Sequence, residues 1–155
     1  MESLNCKSLM IGDYVKYQEC IYIVEEISAK GWVHLIYPKT KARLNLASDY
    51  IINLLEPIPL TAEILEKLGF SKVPQTKCSN PYHWTLDVYE EESEDLLYSI
   101  RAYKTLFRGM YISIDNYADC EPIKFSKQIE HFHELQHALR SSGLSDLVDK
   151  LKMEE

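Results

Sequence analysis

The segment His133-Glu134-Leu135-Gln136-His137 has the residue types and spacing of a metal-dependent hydrolase motif. In a zinc hydrolase, two histidines one helical turn apart bind the metal, and the glutamate between them is the general base that activates zinc-bound water. The pattern makes His133 and His137 candidate metal ligands and Glu134 a candidate catalytic residue.

The residues after this motif do not continue it. A catalytic zinc needs a third protein ligand, and the form H-E-x-x-H-x-x-G-x-x-H requires glycine where this chain has Arg140 and histidine where it has Gly143. Asp87, Asp115 and Cys120 are left as candidates for the third ligand. We therefore predict no bound metal, no cofactor and no enzymatic activity, with a zinc-dependent hydrolase as the alternative.

The motif lies in a segment with the periodicity of an amphipathic helix. Ser126 is a good N-cap, and residues 127–140 carry an apolar stripe formed by Ile129, Phe132, Leu135 and Leu139. In this helix His133 falls at the margin of the stripe, His137 lies nearer solvent, and His131 projects from the opposite face. Gly143 is expected to end the helix, and Ser145 to cap a short final one.

A second helix is predicted near the middle of the chain. Pro57 and Pro59 hold the chain extended, Thr61 is a natural N-cap, and Gly69 can adopt the left-handed conformation that ends a helix. The two β-patterned regions lie on either side of this element.

The first β region, residues 9–55, has short strands joined by tight turns. β-Branched and aromatic residues are frequent, and Gly12-Asp13 and Ser28–Gly31 are typical of turns. This pattern predicts a small SH3-like β-barrel or a curled antiparallel sheet. The strands are predicted at residues 11–17, 20–27, 31–38, 42–46 and 50–54.

The second β region follows the central helix and predicts another antiparallel sheet, packed by the C-terminal helices. Its strands are predicted at residues 82–89, 96–103 and 109–115. The fold class is therefore α+β. Residues 1–56 form an SH3-like β region and residues 57–155 an α+β region, unless the two make one compact unit.

The net charge of the chain restricts the kinds of partner that it can bind. The formal net charge is −7, whereas a general nucleic-acid binder needs a basic face. A weaker alternative is nucleic-acid contact by an aromatic and basic set in the first β region: Trp32, Tyr37, Lys39, Lys41 and Arg43. The acidic connection between two predicted strands is the candidate surface for a protein partner, formed by Glu90, Glu91, Glu92, Glu94 and Asp95.

The chain has no apolar run of the length that a membrane helix needs and no secretion signal at its start. Cys6, Cys20, Cys78 and Cys120 are scattered without a paired spacing, which is typical of reduced thiols. These features predict a cytoplasmic protein.

Three segments resemble one family. They are Leu9–Val15, Glu56–Phe70 with its Pro-Ile-Pro-Leu-Thr sequence, and Ile129–Gln136. They are similar to segments of an uncharacterised family of small proteins from Bacteroidetes and from their phages and mobile elements. Its members typically have glutamine at the position of Glu134 and asparagine at that of His137. The resemblance thus implies that the zinc-like motif is accidental. Because the family is uncharacterised, the resemblance implies no activity for this chain.

Together these features predict a non-enzymatic protein-interaction module, an accessory protein of a phage or mobile element. One version is a counter-defence inhibitor whose acidic surface blocks a host nucleic-acid-binding protein. The partner is a protein of unknown identity.

Overall fold

A computed structural model describes residues 9–29, 32–46, 54–74, 83–90, 94–104, 110–117 and 125–151. The chain forms two compact units. The first takes the residues up to Ile58 together with His131–His137, and the second takes Pro59–Glu130 and the residues from Ala138 onward.

The first unit is built on a four-stranded antiparallel sheet whose spatial order follows the sequence. Gln18 and Glu19 join the first two strands with φ of 47° and 66°, as a type I′ hairpin turn requires. The four strands are β1 (Tyr14–Tyr17), β2 (Cys20–Ile27), β3 (Val33–Ile36) and β4 (Arg43–Leu46). They confirm four of the five predicted strands. The fifth prediction, at residues 50–54, falls outside the described residues except for Leu54.

This sheet is open. In the described part of the chain β1 and β4 are its edges, so the SH3-like barrel is wrong and the antiparallel sheet, the other prediction, is correct. A barrel would need the two edges to pair. The outer edge of β1 is instead occupied by Glu56, which exchanges two backbone hydrogen bonds with Lys16 (3.0 and 2.8 Å).

One face of the sheet carries the core of this unit, because alternate strand residues point to the same side. Towards the β1–β2 turn, Tyr17, Tyr22 and Leu44 on this face are only partly buried, and so is Ile27 at the other end of β2. The buried members of the cluster are Leu9, Val15, Val24, Val33, Leu35, Leu46 and Leu55.

The second unit contains a five-stranded antiparallel sheet, again in sequence order. Three strands confirm the predictions, but the prediction of a helix from residue 127 with Ser126 as its cap is wrong at its start. Residues 125–129 pair with the preceding strand, with Ile129 opposite Met110, and so satisfy backbone groups that would otherwise be left at an edge. The strands are β5 (Ser71–Val73), β6 (His83–Tyr89), β7 (Leu96–Lys104), β8 (Met110–Asn116) and β9 (Phe125–Ile129).

Within the described ranges three helices complete the α+β fold: α1 (Ala62–Lys67), α2 (Phe132–Ser141) and α3 (Ser145–Lys150). The predicted cap of α1 is confirmed, since Thr61 Oγ1 accepts from the Ile64 N–H at 3.3 Å. Gly69 and Gly143 end α1 and α2 as predicted, with φ of 90° and 78°. The predicted Ser145 cap is wrong, because Leu144 is the cap residue of α3 and makes no side-chain cap bond.

No helix in the described ranges is long and apolar enough to cross a membrane.

Candidate functional site

The turn that leads into β1 carries a buried carboxylate. Asp13 N–H donates to Met10 O at 3.1 Å, and Gly12 has φ of 88°, so residues 10–13 form a type II turn. Asp13 is fully buried, and its Oδ2 accepts from the Met10 N–H at 2.7 Å. The turn thus holds a carboxylate at a fixed position inside the first unit.

His137 is the partner of this carboxylate. Its Nε2 lies 2.7 Å from Asp13 Oδ2, and its side chain is 25% exposed while that of Asp13 is inaccessible. His137 is more exposed than His133, as predicted, but its ring is held by a buried carboxylate. With the hydrogen on Nε2, the ring donates to the carboxylate, which orients the imidazole and leaves Nδ1 as an acceptor.

Gln136 is fully buried and bridges two backbone groups of the same turn. Its Oε1 accepts from the Tyr14 N–H at 3.1 Å, and its Nε2 donates to Gly12 O at 3.0 Å. In an extended chain the carbonyl of one residue and the N–H two residues later point to the same side, so the amide acts like a peptide group of a neighbouring strand. No local sequence signal indicates this role of Gln136.

His133 is buried between two other histidines. Its ring stacks on that of His131, with centroids 5.7 Å apart, and meets the ring of His137 edge-on at 5.6 Å. His133 is only 5% exposed, and within the described residues its Nδ1 has no hydrogen-bond partner. The expectation of a marginal His133 and a solvated His131 is wrong, since this cluster brings all three rings together.

Burial lowers the pKa of His133 below its ordinary value of 6.5. Asp13 and Glu134 act in the opposite direction, and the neighbouring His137 and His131 lower the pKa further. Among the residues that the structure describes, these four are the titratable side chains that act on the ring.

We expect acid to destabilise the protein through His133. Above pH 6.5 the ring is neutral whether the chain is folded or unfolded, and this contribution to stability is complete. As the pH falls below 6.5 the unfolded chain binds the proton first, so the free energy of unfolding decreases until the pH passes the lowered folded-state pKa. Urea unfolding between pH 5 and 8 measures this slope.

The variant His133→Phe keeps an aromatic ring but cannot titrate, so its stability should fall less steeply with acid than that of the wild type. His34→Gln, which removes a partly exposed histidine of β3, is the matched control for the loss of a histidine, and its slope is the reference for that of His133→Phe. An identical slope in wild type and His133→Phe would contradict the role of His133.

The predicted general base has a structural role. Glu134 Oε2 accepts from the His131 N–H at 3.0 Å, which is the side-chain half of a capping box at the start of α2. Of the proposed third ligands, Asp87 accepts from Ser99 Oγ at 2.7 Å, Asp115 pairs with Arg101 at 3.3 Å, and Cys120 lies outside the described residues. The described residues contain no group of three or more side chains suited to holding a metal ion.

A cleft opens where the core face of the first sheet is incompletely covered. Its volume is about 290 Å³, at the lower end of ligand-sized sites. Tyr22 stands between Tyr17 and Tyr37, with ring centroids 6.4 and 5.7 Å away. The residues that line the cleft are Cys20, Tyr22, Tyr37, Ala42, Arg43 and Leu44.

The acidic candidate surface lies between β6 and β7. Glu90 N–H donates to Asp95 O at 2.9 Å, and Glu94 has φ of 58°. Glu90, Glu94 and Asp95 are exposed, whereas Glu91 and Glu92 fall outside the described residues.

Comparison of the chain with protein-family models, curated proteins and solved structures gives no match.

Proposed function

We propose that this protein is a non-enzymatic protein-interaction module and that the tyrosine-lined cleft of the first unit contacts its partner. The observation that supports this proposal is that the core face is only half-buried around Tyr22 and Leu44. Aromatic and aliphatic side chains are accessible there, next to the edge strand β4. Tyrosine is enriched among the residues that dominate interface energetics, because it combines a large rigid apolar surface with a polar tip.

A tagged pull-down from the native host during phage infection, with mass spectrometry, tests this proposal. We expect the double variant Tyr22→Ser/Tyr37→Ser to retain at least about tenfold less of the partner than the wild type, as the loss of a tyrosine anchor implies. The control Tyr89→Ser/Tyr111→Ser changes two exposed tyrosines of the second sheet and should retain the partner fully. A wild-type protein that retains no partner would contradict the proposed function.

The exposed acidic connection is a second proposed contact surface. The net charge of −7 and the exposure of Glu90, Glu94 and Asp95 favour a basic partner, such as a host nucleic-acid-binding protein blocked by a counter-defence inhibitor. Changing Glu90, Glu91, Glu92, Glu94 and Asp95 to Ser or Asn should then weaken retention of the partner. An unchanged affinity would remove this connection from the proposal.

The alternative is a zinc-dependent hydrolase using His133, Glu134 and His137. The unpartnered Nδ1 of His133, close to a second imidazole, is the one observation in its favour. The capping bond of Glu134 and the pairing of His137 with Asp13 favour the non-enzymatic proposal instead. Purified protein that holds close to one zinc per chain, lost in His133→Ala, would support the hydrolase.

An origin in a phage or mobile element remains part of the proposal, on the resemblance of the three segments. A cytoplasmic location is proposed on the free thiol of Cys20, because reduced thiols are typical of that compartment.

A further inference from the structure

We propose that the open edge of β4 binds an extended, acidic segment of the partner as an additional strand of the first sheet. This inference rests on the proposed interaction function and assigns one contact surface and the chemistry of the partner segment that binds there. Strand addition of this kind derives its affinity from main-chain hydrogen bonds and its specificity from alternate side chains.

The two edges of this sheet differ. On β1, the outward Tyr14 N–H donates to Gln136, and the outward groups of Lys16 pair with Glu56. On β4, by contrast, no further strand is paired within the described part of the chain. Natural sheets generally protect their edges, so an edge that stays open beside an apolar cleft is a natural docking strand.

The hydrogen-bond register shows which groups of β4 face outward. Tyr37 N–H donates to Ala42 O at 2.8 Å, which makes these two residues a hydrogen-bonded pair. Because such pairs alternate along an antiparallel ladder, Leu44 bonds to β3, and the backbone N–H and C=O of Arg43 and Asn45 point away from it. An added strand would pair with Arg43 and Asn45.

The side chains of β4 set the composition of that strand. Leu44 points to the core face, while Arg43 and Asn45 are exposed and alternate with it along the strand, and Arg43 also lines the cleft. Lys39, Lys41 and Arg43 lie within five residues of a chain whose net charge is −7. Arg43 pairs with Glu25 at 2.7 Å, yet its side chain is still 69% exposed. In an added strand, aromatic or aliphatic residues would lie on the same face as Leu44, and acidic residues would lie on the same face as Arg43. The bound segment should therefore alternate apolar and acidic residues.

Selection of a phage-displayed library of random octapeptides on the purified full chain tests this inference. We expect the enriched sequences to alternate apolar and acidic residues. Enrichment of basic sequences, or no enrichment, would overturn it. The enriched peptide with the highest affinity is then synthesised with a fluorescent label, and its binding is measured by anisotropy.

Two pairs of variants test the edge itself. Asn45→Pro removes one outward N–H but no bond to β3, since proline is tolerated on an edge strand where its nitrogen faces solvent. It should weaken peptide binding at least tenfold, whereas Asn45→Ala, which keeps the N–H, should not. Arg43→Glu should weaken binding at least tenfold, whereas Lys67→Glu, an exposed charge in α1, should not. Equal binding by Asn45→Pro and Asn45→Ala would overturn the proposal.

The pull-down separates this inference from the function on which it rests. A partner that is retained equally by wild type, Asn45→Pro and Arg43→Glu would overturn binding at β4 and leave the interaction function standing. A wild-type protein that retains no partner would contradict both.

Discussion

Asp13→Ala is expected to lower the free energy of unfolding by about 2–4 kcal/mol, because two hydrogen bonds end on this buried carboxylate and each buried polar group that loses its partner costs about 1–3 kcal/mol. The substitution removes the acceptor of the Met10 N–H and leaves His137 without its carboxylate. It also loosens the turn before β1. Urea unfolding followed by circular dichroism measures the effect.

The control for Asp13→Ala is Asp149→Ala, which removes an exposed carboxylate from α3 and should change the stability by no more than about 0.5 kcal/mol. A double-mutant cycle with Asp13→Asn and His137→Gln isolates the pair and should give an interaction energy between about 0.5 and 3 kcal/mol. Additive single effects would show that the 2.7 Å contact contributes no net stability.

Gln136→Met is expected to cost about 2–4 kcal/mol, because each buried polar group that loses its partner costs about 1–3 kcal/mol. Methionine has nearly the volume of glutamine, so the loss reports the bonds to Tyr14 N–H and Gly12 O rather than a cavity. Hydrogen exchange gives a local readout, and the Tyr14 amide should exchange faster in the variant.

Gln128→Met is the matched control for Gln136→Met, since Gln128 is exposed on β9. It should leave both the overall stability and the exchange of the Tyr14 amide nearly unchanged. Slow exchange at Tyr14 in Gln136→Met would show that another group satisfies this N–H and that the edge of β1 does not depend on the glutamine.

Much of the fold could be predicted because the signals are local. The Thr61 cap, the Gly69 and Gly143 helix ends and the strand alternation each depend on residues within one or two turns of chain. The failed prediction at residues 127–131 has the opposite cause. Its apolar spacing continues that of α2, but pairing with β8 satisfies the backbone of residues 125–129 and delays the helix to Phe132.

The candidate site could be predicted only in part. The spacing of His133 and His137 on one helix is a local fact and was correct. The zinc chemistry inferred from it depends on what surrounds the rings, and Asp13, which pairs with His137, is 124 residues away in the sequence. The best available signal was the Gly12-Asp13 turn, which does not reveal what the carboxylate contacts.

The sequence by itself thus determined most of the segments that form helices and strands, where α1 begins and ends, and that two β regions flank it. These properties follow from φ preferences, capping groups and side-chain periodicity, which act over a few residues. Only the tertiary structure decided that His131–His137 belongs with the N-terminal sheet and that Gln136 covers the edge of β1. It also decided that β4 is an edge strand among the described residues, because pairing between distant segments depends on which backbone groups remain to be satisfied.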